Sequence, residues 1–310
     1  MIEEISIQEL TKQKPDTYLL IDMRDRTAFA LGHIDGAVNI PQQTLQEQAE
    51  TLPQDKMLVI YCRSGIISEE AAESLREKGL FAVNLIGGYV QWLQEKIKRE
   101  STLEKAAEVE QGLRKKFHRT IFSRFAKAVT TYELIQPNDK IAVCISGGKD
   151  SMLMAKLFQE LYRHGKFPFS LVFLVMDPGY SPENRQIIES NAKLLQIPIT
   201  IFETNIFDSV YHVQNNPCYL CARMRRGHLY NQAKLLGCNK IALGHHFDDV
   251  IETILMSMIY GGQVETMMPK LHSANFEGMQ LIRPMYLIRE ADIKHWCRYH
   301  DLRFIQCACR

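Results

Sequence analysis

The apolar run Lys140 to Ile145 passes without a break into Ser146-Gly147-Gly148-Lys149-Asp150-Ser151 and then into a helical pattern that extends to Tyr162. A strand that turns straight into a helix through small residues restricts the surrounding fold to strands alternating with helices around a parallel sheet. The downstream sequence keeps to that rule. Strand patterns at Ser170 to Met176, Thr200 to Phe202 and Lys240 to Leu243 alternate with helical patterns at Glu183 to Leu195, Arg225 to Leu236 and Val250 to Tyr260. The expected fold of this part is α/β, a doubly wound parallel sheet with helices on both faces.

The first hundred residues carry a second, smaller α/β pattern. It has strands at Tyr18 to Asp22 and Met57 to Tyr61, a helix from Glu69 to Lys78, and Gly87-Gly88-Tyr89 ahead of a short helix around Trp92. Between the two patterns, Lys96 to Phe125 is charged and helical with no Pro-rich or Ser/Gly-rich linker, which predicts a long helix rather than a flexible tether. The expected organisation is one unit over 1–98, a charged helical connector over 99–130 and a second unit over 131–310. A length of 310 residues suits two cores of ordinary size.

The N-terminus lacks the basic start and apolar core of a signal peptide, and no run approaches the roughly 20 apolar residues of a membrane helix. The cytoplasm is therefore the expected compartment, with no membrane partner. There, eight cysteines suit metal binding, catalysis or burial better than disulfides. The net charge of +1 hides an asymmetry: residues 1–100 hold 11 Lys+Arg against 16 Asp+Glu, and the remainder 26 against 20. The C-terminal part is the one suited to a polyanion.

Cys62 ends the strand Met57 to Tyr61 and is followed by Arg63-Ser64-Gly65-Ile66-Ile67-Ser68 and a helix. A cysteine at a helix N-terminus sits among free N–H groups, which stabilise a thiolate or a persulfide, and Arg63 would add positive charge. A buried structural cysteine fits the same position. Ile21-Asp22-Met23-Arg24, Gly32 through Pro41, the Cys62 loop and Gly87-Gly88 together resemble a single-domain rhodanese. That resemblance implies a rhodanese-like parallel-sheet unit whose loop cysteine carries a persulfide sulfur. The short interval from Cys62 to Ser68 matches the sulfur-handling branch of that fold rather than its phosphatases. Ala28 departs from the acidic residue often found there.

In the second unit, Ser146 to Ser151 supplies a backbone able to close around phosphate oxygens, a helix N-terminus and the Lys149 ammonium. Asp150 could hold Mg²⁺. A plain turn fits the same residues. The string resembles the PP-loop of ATP pyrophosphatases of the adenine-nucleotide-hydrolase (HUP) type, which cleave ATP between its α and β phosphates and adenylate a substrate oxygen. A second string, Leu243-Gly244-His245-His246-Phe247-Asp248-Asp249, stands at another strand end, where ligands of doubly wound sheets bind. It reads either as a helix cap or as part of the nucleotide site, with Gly244 and His245 on the nucleotide and Asp249 in a catalytic role.

Cys218-Tyr219-Leu220-Cys221 follows Asn215-Asn216-Pro217, in an expected loop before the helix near Arg225. Such a pair can grip one metal centre or form a redox couple. Cys144, Cys238 and Cys297 read as packing residues. Pro217 through Gly227, the Gly244 to Asp249 string, Tyr260-Gly261-Gly262, Met268-Pro269-Lys270-Leu271 and Ile282-Arg283-Pro284-Met285 are together similar to the tRNA 2-thiocytidine synthetase family. The similarity covers roughly Phe117 to Cys307.

That resemblance implies an ATP- and Mg²⁺-dependent transfer of sulfur to a tRNA cytidine. It also implies a 4Fe-4S cluster on Cys218, Cys221 and Cys307, and a cysteine desulfurase or other persulfide donor upstream. The family's second Cys-x-x-Cys is replaced here by Cys307-Ala308-Cys309-Arg310, which leaves Cys309 as an alternative ligand. Arg223, Arg225 and Arg226 stand where RNA would approach. Arg114, Lys115, Lys116, His118, Arg119, Arg124 and Lys127 could form a second RNA-binding face or only the solvated side of a packing helix. Thiolation of a uridine, ligation of an amine, and ATP sensing without catalysis are the rival readings. A homodimer is compatible with the sequence, which does not specify one.

Overall fold

The computed structural model describes residues 3–45, 47–165, 167–207 and 217–305, with the backbone alone at 217–219. The chain divides into two compact units, Met1–Ser101 and Thr102–Arg310, and the boundary falls inside the helix Gly88–Arg114.

The first unit is built on β1 (Glu4–Ile5), β2 (Tyr18–Asp22), β3 (Val38–Asn39), β4 (Met57–Tyr61) and β5 (Ala82–Leu85). They pair in parallel in the order β1-β5-β4-β2-β3. Alternate residues of a strand face opposite sides of its sheet. Leu58, Ile60 and Cys62 therefore join one core cluster, and Val59 and Tyr61 the other. Burial on both faces explains why β4 reads as an unbroken apolar run.

The second unit contains β6 (Lys140–Ile145), β7 (Ser170–Asp177), β8 (Ile199–Glu203), β9 (Lys240–Ala242), β10 (Lys270–His272) and β11 (Gln280–Ile282), in the order β10-β11-β9-β6-β7-β8. β6 sends Ile141, Val143 and Ile145 to one core cluster and Ala142 and Cys144 to another, with helices over both faces. The sheet is not wholly parallel as expected, because β10 runs antiparallel to β11. These two three-residue strands lie in a polar, Gly-containing stretch with too little periodicity to read. The chain leaves β6 for β7 on one side and returns as β9 on the other, so the topological switch point lies between β6 and β9.

Two segments differ from their sequence reading. The stretch 99–130, expected as a connector, contributes Val109, Leu113, Phe117, Ile121, Phe125 and Val129 to the core of the second unit. Their spacing of four lays one apolar stripe along the helical segment. Two of its basic residues are tied inward, Arg114 to Glu160 at 2.6 Å and Arg124 to Asp292 at 3.0 Å. The helix expected near Arg225 begins at Pro217 and runs to Leu235. Proline at the first helical position loses no hydrogen bond there. Cys218 and Cys221 thus occupy a first helical turn rather than a loop.

Gly112 marks the closest packing of that stretch. A Cβ added there would lie 2.5 Å from Nε2 of the fully buried His300. Gly112→Ala should cost about 1–3 kcal/mol by overpacking, more than the ~1 kcal/mol that alanine adds in helix propensity. A urea titration should show a lower midpoint for the transition of the second unit, and an unchanged or higher midpoint would contradict that packing. Among the described residues no helix is long and apolar enough to cross a membrane.

Candidate active sites in the two units

Cys62 is 5% exposed and sits at the carboxyl end of β4. Gly65, at φ +89°, turns the chain into the helix Ile66–Glu77 and donates its N–H to the Cys62 Sγ at 3.2 Å. The Ser68 hydroxyl lies 3.3 Å from the same sulfur and 2.8 Å from Asn84 Oδ1. The carbonyls of Cys62 and Arg63 accept from the N–H groups of Tyr89 and Val90, both at 3.0 Å. That contact turns the loop's carbonyls outward and leaves its amides facing the sulfur. It requires Gly88, where a Cβ would meet the Cys62 carbonyl oxygen at 2.5 Å.

Burial pushes the Cys62 thiol up, but hydrogen bonds from Ser68, Ser64 and Gly65 outweigh it and hold its pKa below the usual thiol value. Arg63 is exposed, and the lowering comes from hydrogen bonds rather than from its charge. Since the thiolate is the nucleophile, alkylation of Cys62 should begin at lower pH than for a free thiol. Ser68→Ala should shift the midpoint of an iodoacetamide rate profile to higher pH, and an unmoved midpoint would remove Ser68 from this role. Beside the loop, Asp22 and Arg24 pair at 2.5 Å, Arg24 donates to the Gly32 carbonyl at 2.7 Å and lies 3.8 Å over the Tyr89 ring. These two residues brace the loops and do not touch the sulfur.

In the second unit, Gly147 is buried at φ +85°, and a Cβ there would collide with Ile188 at 2.5 Å and Ile305 at 2.8 Å. Gly148 caps the helix Lys149–His164. The Ser151 hydroxyl accepts from the Ser146 N–H at 3.2 Å and donates to the Gly148 carbonyl at 2.9 Å, so it staples the loop closed. Lys149 bridges Asp150 at 3.0 Å and Glu290 at 3.1 Å. Burial alone would lower its pKa, but these two carboxylates prevail and raise it. Asp150 gives Oδ2 to Lys149 while its Oδ1 is buried without a hydrogen-bond partner. An unsatisfied carboxylate oxygen beside a phosphate-binding loop fits a Mg²⁺ ligand.

The second string meets the first directly. A Cβ on Gly244 would lie 3.2 Å from the Ser151 nitrogen and 3.3 Å from the Asp150 carbonyl carbon. His246 caps the helix Phe247–Gly261: its N–H donates to Asp249 Oδ2 at 2.7 Å and its Nδ1 accepts from the Asp249 N–H at 3.4 Å. Asp249 therefore has a structural task, and only its remaining acceptor capacity is available for chemistry. His245 is pushed down to about 4 by burial, with Arg283 adding to the effect and Asp249 opposing it. At neutral pH it is an uncharged imidazole.

Three contributors escaped the sequence reading. Asp177, at the end of β7, accepts from the N–H groups of Gly179 at 2.9 Å and Tyr180 at 2.7 Å. That turn brings the Tyr180 hydroxyl within 3.5 Å of the Ser146 carbonyl and 3.4 Å of Arg225. Glu290 reaches Lys149 from the start of the helix Glu290–Tyr299. An acidic residue at the end of a strand adjoining the switch point was the available signal for Asp177; Glu290 offered none.

Cys218 and Cys221 are three apart on one helix, and such positions share a face. Cys221 is half-buried against a small cluster that includes Met176, Ile206 and Met224. The side chain of Cys218 and all of Cys307 and Cys309 lie outside the described residues. Arg223 and Arg226 are exposed, and Arg225 is half-buried. Burial pushes Cys144 up to about 12 and Cys297 up to about 11, which makes both inert packing residues.

Residues 115–308 match the PP-loop domain, and residues 6–95 match the rhodanese-like domain. A protein of Neisseria meningitidis named tRNA-cytidine(32) 2-sulfurtransferase is 37% identical over 186 residues, covering 58% of this chain and 57% of that protein. One of the same name from Syntrophotalea carbinolica is 36% identical over 186 residues, covering 59% and 71%. This chain thus spans a little over half the length of the Neisseria relatives. Among solved structures, the U34-tRNA thiolase NcsA of Methanococcus maripaludis with its [4Fe-4S] cluster aligns at a TM-score of 0.49 with 25% identity, over 60% of this chain and 66% of that one. The PP-loop match covers well over half of the sequence and both nucleotide strings lie within it: the chain belongs to the PP-loop family.

Proposed function

We propose that this protein is an ATP-dependent tRNA sulfurtransferase that adenylates a cytidine, at position 32 as in the names of its relatives, and replaces the base oxygen with sulfur. One observation carries the reading. Arg225, four residues beyond Cys221 on the same helix, reaches the Ser146 carbonyl of the PP-loop through the Tyr180 hydroxyl. The cysteine-bearing helix therefore approaches the nucleotide loop through Arg225, which supports a common site for the two.

In this reading Ser146 to Ser151 hold the ATP phosphates and Asp150 Oδ1 takes Mg²⁺. The C2 oxygen of the cytidine bonds to the α phosphorus, and pyrophosphate leaves. Sulfur then forms a bond to C2 as AMP departs. Neutral His245 and the Asp249 carboxylate stand beside the loop to orient the base. Cys62 is the source of the sulfur as a persulfide, loaded by a desulfurase or another donor, with an external thiol supplying the two electrons of its release.

Cys218, Cys221 and Cys307 would hold the 4Fe-4S cluster, and the soft thiolates of a shared helical face suit it. Bound there, the cluster would supply an open iron site for sulfide. The same reading assigns sulfur carriage to the first unit, 1–98, and thiolation to the second, which takes in the helical stretch ahead of 131 as part of its core.

The test is purification without oxygen, assay of iron, labile sulfide and tRNA-dependent pyrophosphate release, and nucleoside mass spectrometry of tRNA from a deletion strain. Loss of 2-thiocytidine is expected. If that nucleoside persists while a thiolated uridine disappears, the base is wrong. An iron-free protein with full activity would remove the cluster.

A further inference from the structure

The register of the second sheet brings one more charged side chain to the crevice than the two nucleotide strings account for. Ile282 of β11 stands opposite Ala242 of β9, and the Leu243 N–H donates to the Ile282 carbonyl at 3.0 Å. Arg283 therefore leaves its strand at the level where the chain beyond β9 turns into Gly244 and His245. Its side chain is not arranged like a structural arginine. Arg24, Arg114, Arg163 and Arg185 each lie on a carboxylate. Arg283 is only 7% exposed, donates one terminal nitrogen to the Met268 carbonyl, and keeps its Nε buried with no hydrogen-bond partner. Among the described residues it has no carboxylate partner at all.

A buried guanidinium without a counter-ion is costly. Burial pulls Arg283 down to about 10, the charge of Arg226 pulls the same way, and Tyr230 and Tyr286 oppose both. It remains a cation at neutral pH. The two arginines also act together on His245, whose Nδ1 is buried and unpartnered like the Arg283 Nε. Positive charge is concentrated here, and the group that would complete it is an anion with several acceptor oxygens.

We infer that Arg283, with Arg226 adding positive charge and His245 as a hydrogen-bonding wall, forms a phosphate seat at the carboxyl ends of β9 and β11, distinct from the PP-loop. A phosphate takes the fork of a guanidinium through two oxygens, which satisfies the Nε and neutralises the pair at once. Two sources carry that chemistry: a phosphodiester of the acceptor RNA, which rests on the function proposed above, and the pyrophosphate portion of the nucleotide, which does not.

The experiment uses the full chain, Arg283→Met and Arg226→Gln. It measures pyrophosphate affinity by calorimetry, bulk tRNA affinity across a salt series, and the melting temperature. If RNA fills the seat, each substitution lowers the salt slope of tRNA binding by about 1 and leaves pyrophosphate affinity unchanged. If the nucleotide fills it, pyrophosphate binds about tenfold or more weakly to Arg283→Met and the tRNA slope holds.

A lowered melting temperature with both binding readouts unchanged makes Arg283 structural and overturns the inference. Should Arg283→Met not fold, the exposed Arg226→Gln decides on the same readouts. Wild-type protein with no affinity for tRNA would end the tRNA reading, and the pyrophosphate measurement would then judge the seat alone.

Discussion

Gly147→Ala is expected to lower tRNA-dependent pyrophosphate release by on the order of 10²-fold or more, the size of effect seen when a preorganised backbone donor is lost. Two independent features make the position intolerant. Its φ of +85° is one that a side chain adopts only with strain, of about 1–2 kcal/mol. The new methyl group would also stand 2.5 Å from Ile188 and 2.8 Å from Ile305, so the loop backbone must shift and carry its amides with it. Pyrophosphate release at saturating ATP measures the effect. Persulfide loading of Cys62 in the same preparation serves as the control, since it depends on the other unit. Release at the wild-type rate would show that the loop does not grip the nucleotide in this conformation.

Cys62→Ala should abolish persulfide loading of the N-terminal unit and lower thiolation from a persulfide donor by on the order of 10³-fold or more, as removal of a covalent nucleophile does. Pyrophosphate release should hardly change. The sulfur sits where Gly65 and Ser68 reach it at 3.2 and 3.3 Å. None of the other cysteines with a resolved shift combines such donors with a lowered pKa; Cys144, Cys238 and Cys297 all shift upward on burial. A second arm supplies inorganic sulfide at high concentration in place of the persulfide donor. Recovery there would place Cys62 in sulfur delivery alone. Unchanged thiolation with the persulfide donor would leave the first unit without its proposed task.

His245 limits what its string can offer a nucleotide. With its pKa at about 4, it carries no charge between pH 6 and 9 and cannot hold a phosphate as a cation. The charge facing that side of the crevice comes instead from Arg226 and Arg283. The pairing of Asp249 with the His246 backbone shows why a helix cap and a site motif are hard to tell apart in sequence: the carboxylate that caps the helix is the one the functional reading proposes for chemistry.

The local elements were legible from the sequence alone. β2, β4 and β6 fall at Tyr18–Asp22, Met57–Tyr61 and Lys140–Ile145, where the periodicity put them. Buried parallel strands are continuous apolar runs, and the glycines and polar residues that end them mark the turns. Cys62 and the PP-loop were legible for the same reason, because each lies within a single strand–loop–helix passage whose dihedral preferences are written in consecutive residues.

Only the tertiary structure decided which distant passages meet. Gly244 lies against Ser151, Glu290 grips Lys149, Tyr180 links Arg225 to Ser146, and Arg283 arrives beside His245. These neighbours are separated by roughly 35 to 140 residues, and sheet register and burial bring them together rather than any local pattern. The same holds for 99–130, whose charge described a connector while its stripe of every fourth residue closed the core of the second unit. A sequence states which residues prefer to be buried; the packed fold determines what they are buried against, and for a charged group such as Arg283 that second fact carries the chemistry.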